Sequence, residues 1–440
     1  MSTRTYTGNA QAINQKNTVT IALTWAAADT ITITVNGKDL VLTVGAAVAT
    51  TDIALALKQA FQSEAMGSGY SVLPTGGGTV VAELAAITAS VSGSVVTLTA
   101  DTAGLPFTIT ATESTAGSGT ATGAVSQAAT GPAYFSNVDN WLEGAVAITG
   151  DDMIWNRPVS IKYDLAQSAI TLASLTIGPA VTGAYQIGLL SRNPAGYEEY
   201  LATELAISAT SLVCNGTPGL VKINFGSVAN TSTVNSTGGT LEVNRSAFQA
   251  RGTSTANVLN VFGGDVGYGA NNETAAAATI NQNGGVLNVG TGVSSLVTVS
   301  QLSGTATINC AATNISSSGG TLKHTAGAVT TVKANGGAVT LASSGTITTC
   351  TQRGGKLIVT ETAGAFTTLN GVNGKCQYNG SGTISTLSLS NDHDFSVDGS
   401  SAAMTISSMA VTGGPVFRNV TGRATITALT AVGVIDFKPL

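Results

Sequence analysis

Charge is what this chain has least of. Of its 440 residues, 9% are charged, the formal net charge is −5, and no cluster of Lys and Arg is present. Phosphate binding needs clustered cations, so nucleic acid is not an expected partner. Histidine occurs twice, with no metal-ligand partner at fixed spacing near His324, and aromatics make up 5%, too few in the solenoid for a sugar-binding cleft. The four Cys all follow residue 210 and none forms a CxxC pair, against both a metal finger and a disulfide framework. Residues 1–17 lack the apolar stretch of a secretory signal, and no apolar run is long enough to span a membrane, so no membrane partner is expected. The 53 Gly do not follow a Gly-X-Y period, which excludes a collagen-like rod.

What is present is Val, Ile and Thr, which favour strands, with Gly, Asn and Ser, which favour tight turns. With 43% hydrophobic residues the chain folds rather than remaining disordered. The fold class expected is mainly β: a small N-terminal α+β domain followed by a parallel β-solenoid. Residues 1–17 read as an arm and 18–114 as the small docking domain. Within it, Thr18 to Trp25 and Thr30 to Val35 alternate polar with apolar, and Asn36-Gly37 is a hairpin turn before Leu40 to Val44. Ile53, Leu57 and Phe61 lie four apart, predicting a helix over Asp52 to Glu64 with Thr51 or Asp52 as its cap. Ile87 to Val91 and Val95 to Thr99 form a second hairpin, and Phe107 to Ala111 another strand. Residues 115–131, rich in Gly, Ser, Thr and Ala, read as a linker. Residues 132–225 read as a transition and capping region, with strands at Ile170 to Ile177 and Leu220 to Phe225.

From residue 226 to 440 the chain is repetitive. Six segments share one pattern, an apolar residue, two small residues and a second apolar residue. They begin at Val329, Ile347, Phe366, Ile384, Ile406 and Ile426, separated by 18, 19, 18, 22 and 20 residues. Between and before them run i/i+2 pairs: Leu287/Val289, Ala306/Ile308, Leu322/His324, Val339/Leu341, Leu357/Val359, Cys376/Tyr378 and Phe395/Val397. At that spacing both side chains face one side of a strand. Two short strands per unit of about twenty residues is a solenoid signature, because one unit alone cannot bury its apolar stripe. Seven to ten rungs are expected, with Gly pairs at the corners and Thr and Ser ladders outside.

The segment Asn137-Val-Asp-Asn-Trp-Leu-Glu-Gly144, continuing to Gly150-Asp-Asp-Met-Ile-Trp155, is similar to the NW-x-x-G…GDD segment of many Gly/Thr-rich solenoid proteins. Together with Thr24 to Thr43, Ile87 to Ala111, Tyr163 to Ile177, Ile187 to Leu189, Gly196 to Tyr200 and Val221 to Val228, it makes the chain resemble a group of uncharacterised proteins from phages, prophages and planctomycete genomes. The resemblance implies a virion-associated structural role and supplies no catalytic residues. The function expected is therefore a non-enzymatic virion protein of a tailed bacteriophage: a capsid decoration or a fibre. It would be homotrimeric and would contact the major capsid protein or tail proteins. The alternative is a surface adhesin or a tailspike-like, polysaccharide-binding solenoid.

No catalytic residue, cofactor or metal is expected, and each candidate has a plain reading beside the chemical one. His324 lies in an inward slot beside Leu322. His393 lies in Asn391-Asp-His-Asp394, and Asp392, Asp394 and Asp398-Gly399 form the densest acidic cluster, either a solvated turn or a Ca²⁺ corner. Paired carboxylates also serve glycoside hydrolysis, but Glu361 and Asp436 are far along the chain from this corner. Glu198-Glu199, between Tyr197 and Tyr200, point to opposite faces of a strand. Cys310, Cys350 and Cys376 stand in for core hydrophobes, and Cys214 is a thiol near a turn. Trp141 and Trp155 read as a cap on the solenoid end rather than a sugar platform. The Gly-Gly pairs lack the Lys-Ser/Thr ending of a phosphate loop.

Overall fold

The computed structural model describes residues 2–116, 118–192, 198–236, 246–270 and 273–432. It is mainly β, with a parallel β-solenoid of about 14 turns and a small N-terminal α+β module.

The module contains two four-stranded antiparallel sheets. Strand β1 (Thr3–Tyr6) is not part of it. β2 (Lys16–Ala22), β3 (Thr30–Val35) and β4 (Lys38–Thr43) precede the helix α1 (Thr50–Gln62), and β5 (Ser71–Leu73), β6 (Ile87–Ser92), β7 (Val95–Ala100), β8 (Ile109–Ser114) and β9 (Thr120–Gln127) follow it. One sheet has the order β6-β7-β2-β9 and the other β5-β4-β3-β8. Alternation in β3 places Ile31, Ile33 and Val35 inside, in one core with Ile53, Leu57 and Phe61 of α1. The helix begins two residues earlier than its apolar spacing predicts. Its N-cap is Ala49, with no side-chain cap, so neither Thr51 nor Asp52 caps it.

Two stretches differ from their sequence reading. The segment read as a linker carries β9, which pairs antiparallel along the whole of β2. Only Ala121 of that edge strand packs into the core, so its composition looks like that of a loop. The N-terminal arm likewise carries a strand. β1 pairs in parallel with β10 (Asp152–Trp155), and β10 with β11 (Ala166–Ile177). The solenoid therefore starts at residue 3, and the module is an excursion from its first rung. The two chain segments of its neck meet at an Ile13–Thr130 bridge. The Asn36-Gly37 hairpin tip abuts the ring of Tyr200 on the solenoid.

The region read as transition is thus solenoid, and this adds rungs to the seven to ten expected. At ~4.8 Å per rung, about 14 turns make a rod on the order of 65 Å long. The first-face series runs from β1 through β10, β11 and Leu205–Cys214 to Ala424–Val432, and from β11 onward each rung adds a second-face strand, in a series from Gln186–Ile187 to Val416–Arg418. Each strand pairs in parallel with the equivalent one in the next rung. On the first face the buried positions are the first, fourth and sixth of the strand, as in Val329, Val332 and Ala334. That is the apolar-x-x-apolar repeat, and its members are buried through Met409. In the last rung Leu429 faces the same way but is exposed, because no further described rung covers it. All seven i/i+2 pairs are buried. Gly pairs turn the corner. Gly355 has φ +63°, and a Cβ there would strike the carbonyl of Gly337 one rung away, so only glycine stacks at this position.

Candidate functional site

The acidic corner is taken apart by the fold. His393 precedes the short strand Asp394–Ser396, with Asp392 at one end of it and Asp398 beyond the other. Asp392 lies in the turn before this strand and Asp398 in the turn after it. Asp392 is exposed. Asp394 pairs with Arg418, Nε to Oδ1, at 3.0 Å. Asp398 accepts the Thr421 amide at 3.2 Å. Among the described residues no group of three or more His, Cys, Asp or Glu is placed to hold a metal ion. Glu361 is exposed, and Asp436 lies outside the described residues.

What the corner does contain is a buried polar column that the sequence reading missed. Gln282, Gln301, Ser317 and Gln352 are the last residues of successive or near-successive first-face strands and are fully or almost fully buried. Their side chains bend into the glycine corner. Gln301 Nε2 donates to Thr321 O at 2.9 Å and to Gln282 Oε1 at 3.2 Å. Ser317 Oγ donates to Gln301 Oε1 at 3.0 Å. Gln352 Nε2 donates to Lys375 O at 2.9 Å. The signal was available: Gln recurs five residues after the first apolar position, just before the corner. Where the next strand has Gly371 at this position, a Cβ would lie 2.7 Å from the His393 ring. The ring fills the slot that glycine leaves and meets Gln352 Oε1 through Nε2 at 3.0 Å. Burial pushes the imidazole down to about 4, against the opposing pull of Asp394. His324 is also wholly buried, its Nε2 3.0 Å from Cys310 O, and burial lowers it in the same direction.

The opposite corner of the late rungs is held by Arg423, which sequence reasoning did not single out. It is 6% exposed. Its Nε donates to Ala402 O at 2.6 Å, and Nη1 donates to Tyr378 O and Val397 O, each at 2.9 Å. One guanidinium thus ties three consecutive rungs through backbone carbonyls. Nothing in the local repeat marks this position.

At the first rung Trp141 packs edge-on against Tyr6 and Phe135, with ring centroids 5.3 and 5.2 Å apart, and donates Nε1 to Phe135 O. Trp155 is fully buried and donates to Val159 O. Both rings therefore lie in the end of the core. Asp151 of the Gly-Asp-Asp segment clasps β1, accepting Arg4 Nε at 3.1 Å and the Ser2 amide at 3.1 Å. Burial raises its carboxyl, but Arg4 and the amides of Ile148 and Ser2 outweigh this and hold it below the usual carboxylate range.

A polar recess of ≈ 90 Å³ lies on the outer side of the second face, lined among others by Ser191, Glu204, Lys222, Gln249 and Glu273. Lys222 is 5% exposed and donates to Leu189 O at 2.9 Å and Ser191 Oγ at 3.2 Å. Glu204 grips Arg251, with Nε to Oε2 at 2.9 Å. These groups fasten Leu189, Ser191 and Glu204 onto the sheet. Glu198 is exposed and Glu199 half-buried, its carboxylate accepting the Leu201 amide at 3.0 Å, while Tyr197 lies outside the described residues. The four thiols are buried and free. Burial pushes Cys350 up to about 12, Cys310 to about 11 and Cys376 well above the usual value. For Cys214 burial again dominates, raising it to about 12.

Comparison with known proteins found no matching family model, no matching curated protein and no matching solved structure.

Proposed function

We propose that the chain is a structural, non-enzymatic protein of a tailed-bacteriophage virion, a capsid decoration or fibre, assembled as a homotrimer. The observation that carries the mechanical part of this reading is the unbroken parallel ladder from β1 to the strand ending at Val432. Every rung is bonded to the next, and one apolar core runs from Tyr6 to Ala424. Such a stack resists shear and proteolysis because no rung opens without exposing its neighbours. Its polar interior groups are absorbed in the same work: Gln352, His393 and Arg423 bond rung to rung. The module, carried on a neck at the first rung, is the docking element in this reading. Cyclic closure with three copies avoids an open-ended fibre.

The test is location. Antibody to the module, with peptide mass spectrometry of gradient-purified particles, is expected to find the chain on virions in multiples of three per site. Its presence only on cell envelopes would overturn the virion assignment in favour of the adhesin. Release of oligosaccharide from host polysaccharide by the purified protein would overturn the non-enzymatic part.

A further inference from the structure

Seven Asn-Gly pairs occur in the chain, at Asn36, Asn215, Asn283, Asn335, Asn370, Asn373 and Asn379. Such pairs cyclise spontaneously when the glycine nitrogen reaches the Asn carboxamide carbon, and a fold suppresses the reaction by holding the two apart. In several pairs these groups are engaged elsewhere. Gly216 N donates to Ile177 O, and Gly336 N to Ser317 O at 3.3 Å. Asn36 Oδ1 accepts the Thr108 amide at 2.9 Å. Asn370-Gly371 lies inside a strand whose residues pair with the rungs on both sides.

Asn373-Gly374 is arranged differently. Asn373 is exposed at a rung corner, and the Gly374 nitrogen donates to Asn373's own Oδ1 at 2.7 Å. Oδ1 is bonded directly to the carboxamide carbon, so the nitrogen is kept beside the atom it would attack. Rotation of the exposed carboxamide about its last side-chain bond turns the carbon's open face toward that nitrogen. Proximity of this kind is what converts a slow encounter into a reaction.

We propose that Asn373 is a self-modification site, at which the folded protein converts its own asparagine through a succinimide to aspartate and isoaspartate. Gly374 N gives up its proton and forms a bond to the Asn373 carboxamide carbon. The bond from that carbon to the side-chain nitrogen breaks, and ammonia leaves with the proton. Water then opens the five-membered imide at either carbonyl. Opening at one leaves aspartate; opening at the other leaves isoaspartate, with the main chain rerouted through the side chain. No oxidant, reductant or enzyme enters the balance.

The experiment incubates the purified full-length protein at mildly alkaline pH and maps the tryptic peptide 357–375, which contains both Asn370 and Asn373. Electron-transfer fragmentation assigns the gain of about one dalton to one position or the other. In the folded protein Asn373 is expected to convert about ten-fold or more faster than Asn370, and in urea the two rates converge. Asn373→Gln abolishes the fast conversion and leaves Asn370 unchanged. Equal rates in the folded protein, or an Asn373 rate that rises on unfolding as that of Asn370 does, would overturn the proposal.

Discussion

The module and the solenoid are both closed around buried Val, Ile and Leu, yet their two cores share no residue and are closed by different means. In the module, Phe61 and Leu57 on one helix meet strands from both sheets, so each contact depends on a unique tertiary arrangement. In the solenoid, Leu357 lies between Val339 and Cys376, its equivalents one rung either side, and the same contact is made again along the rod. A unique core is lost as a whole when one large residue goes. A repeated core is a sum of rung-to-rung terms and is damaged locally.

The largest expected difference follows from Phe61→Ala. Truncating a fully buried Phe costs about 3–5 kcal/mol, enough to melt a small module. All four thiols lie in the solenoid and are buried. Thermal melting of the variant, followed with a thiol reagent, is therefore expected to show early loss of the module while the Cys remain protected. Simultaneous labelling would show that the two cores unfold as one.

Arg423→Met comes next. It strands the carbonyls of Tyr378, Val397 and Ala402, at an expected cost of about 3 kcal/mol. Damage should stay local, with limited proteolysis trimming the rungs after about residue 375 while the module melts as before. A uniform loss over the whole rod would contradict nearest-neighbour stability.

Acidification sharpens the comparison further, since both His lie in the solenoid. His393 is held neutral down to about 4 in the fold, whereas an unfolded His titrates at 6.5. The unfolded state binds the proton first, so stability falls as pH drops from 6.5 towards 4 and levels off below. The span is about 3 kcal/mol for this group. His324 adds to the same slope, its value being lowered as well. Between pH 7 and pH 4 the denaturant midpoint of the wild type is expected to fall further than that of His393→Gln, which lacks this titrating group. Parallel curves would remove His393 from the acid response. The smallest effect belongs to the outer face: Thr349→Ala, in a column of Thr331, Thr349, Thr368 and Thr386, is expected to shift stability by less than about 0.5 kcal/mol.

The same contrast explains what could be read from the chain. From Val329 onward the repeat is regular, and the stacking of Val339, Leu357, Cys376 and Phe395 follows from spacing alone. Rungs between residues 152 and 225 were not legible, because Ala166–Ile177 and Leu205–Cys214 are separated by a long excursion that breaks the period. β1 was invisible for another reason. Four residues have no period, and the partner, β10, lies far along the chain. β9 looked like a linker because an edge strand with one buried side chain needs no apolar alternation. At the candidate corner, the cluster Asp392, Asp394 and Asp398 was legible as composition but not as geometry: a strand carries its members apart. Arg423 had no signal at all, since its acceptors are backbone oxygens, which every residue has.

Because β1 forms part of the first rung while the module follows it in the chain, everything from Lys16 to Gln127 enters and leaves through one closed neck and touches the rod again at the Asn36-Gly37 tip. The rod does not use that material to complete its own ladder, and the gap across the neck is already bridged at Ile13 and Thr130. The first rung is thus a socket. It accepts a folded body whose two ends emerge side by side, and domain termini commonly do so. Exchanging what is plugged in there, by recombination or by design, changes the cargo at the tip of the rod without redrawing a single rung.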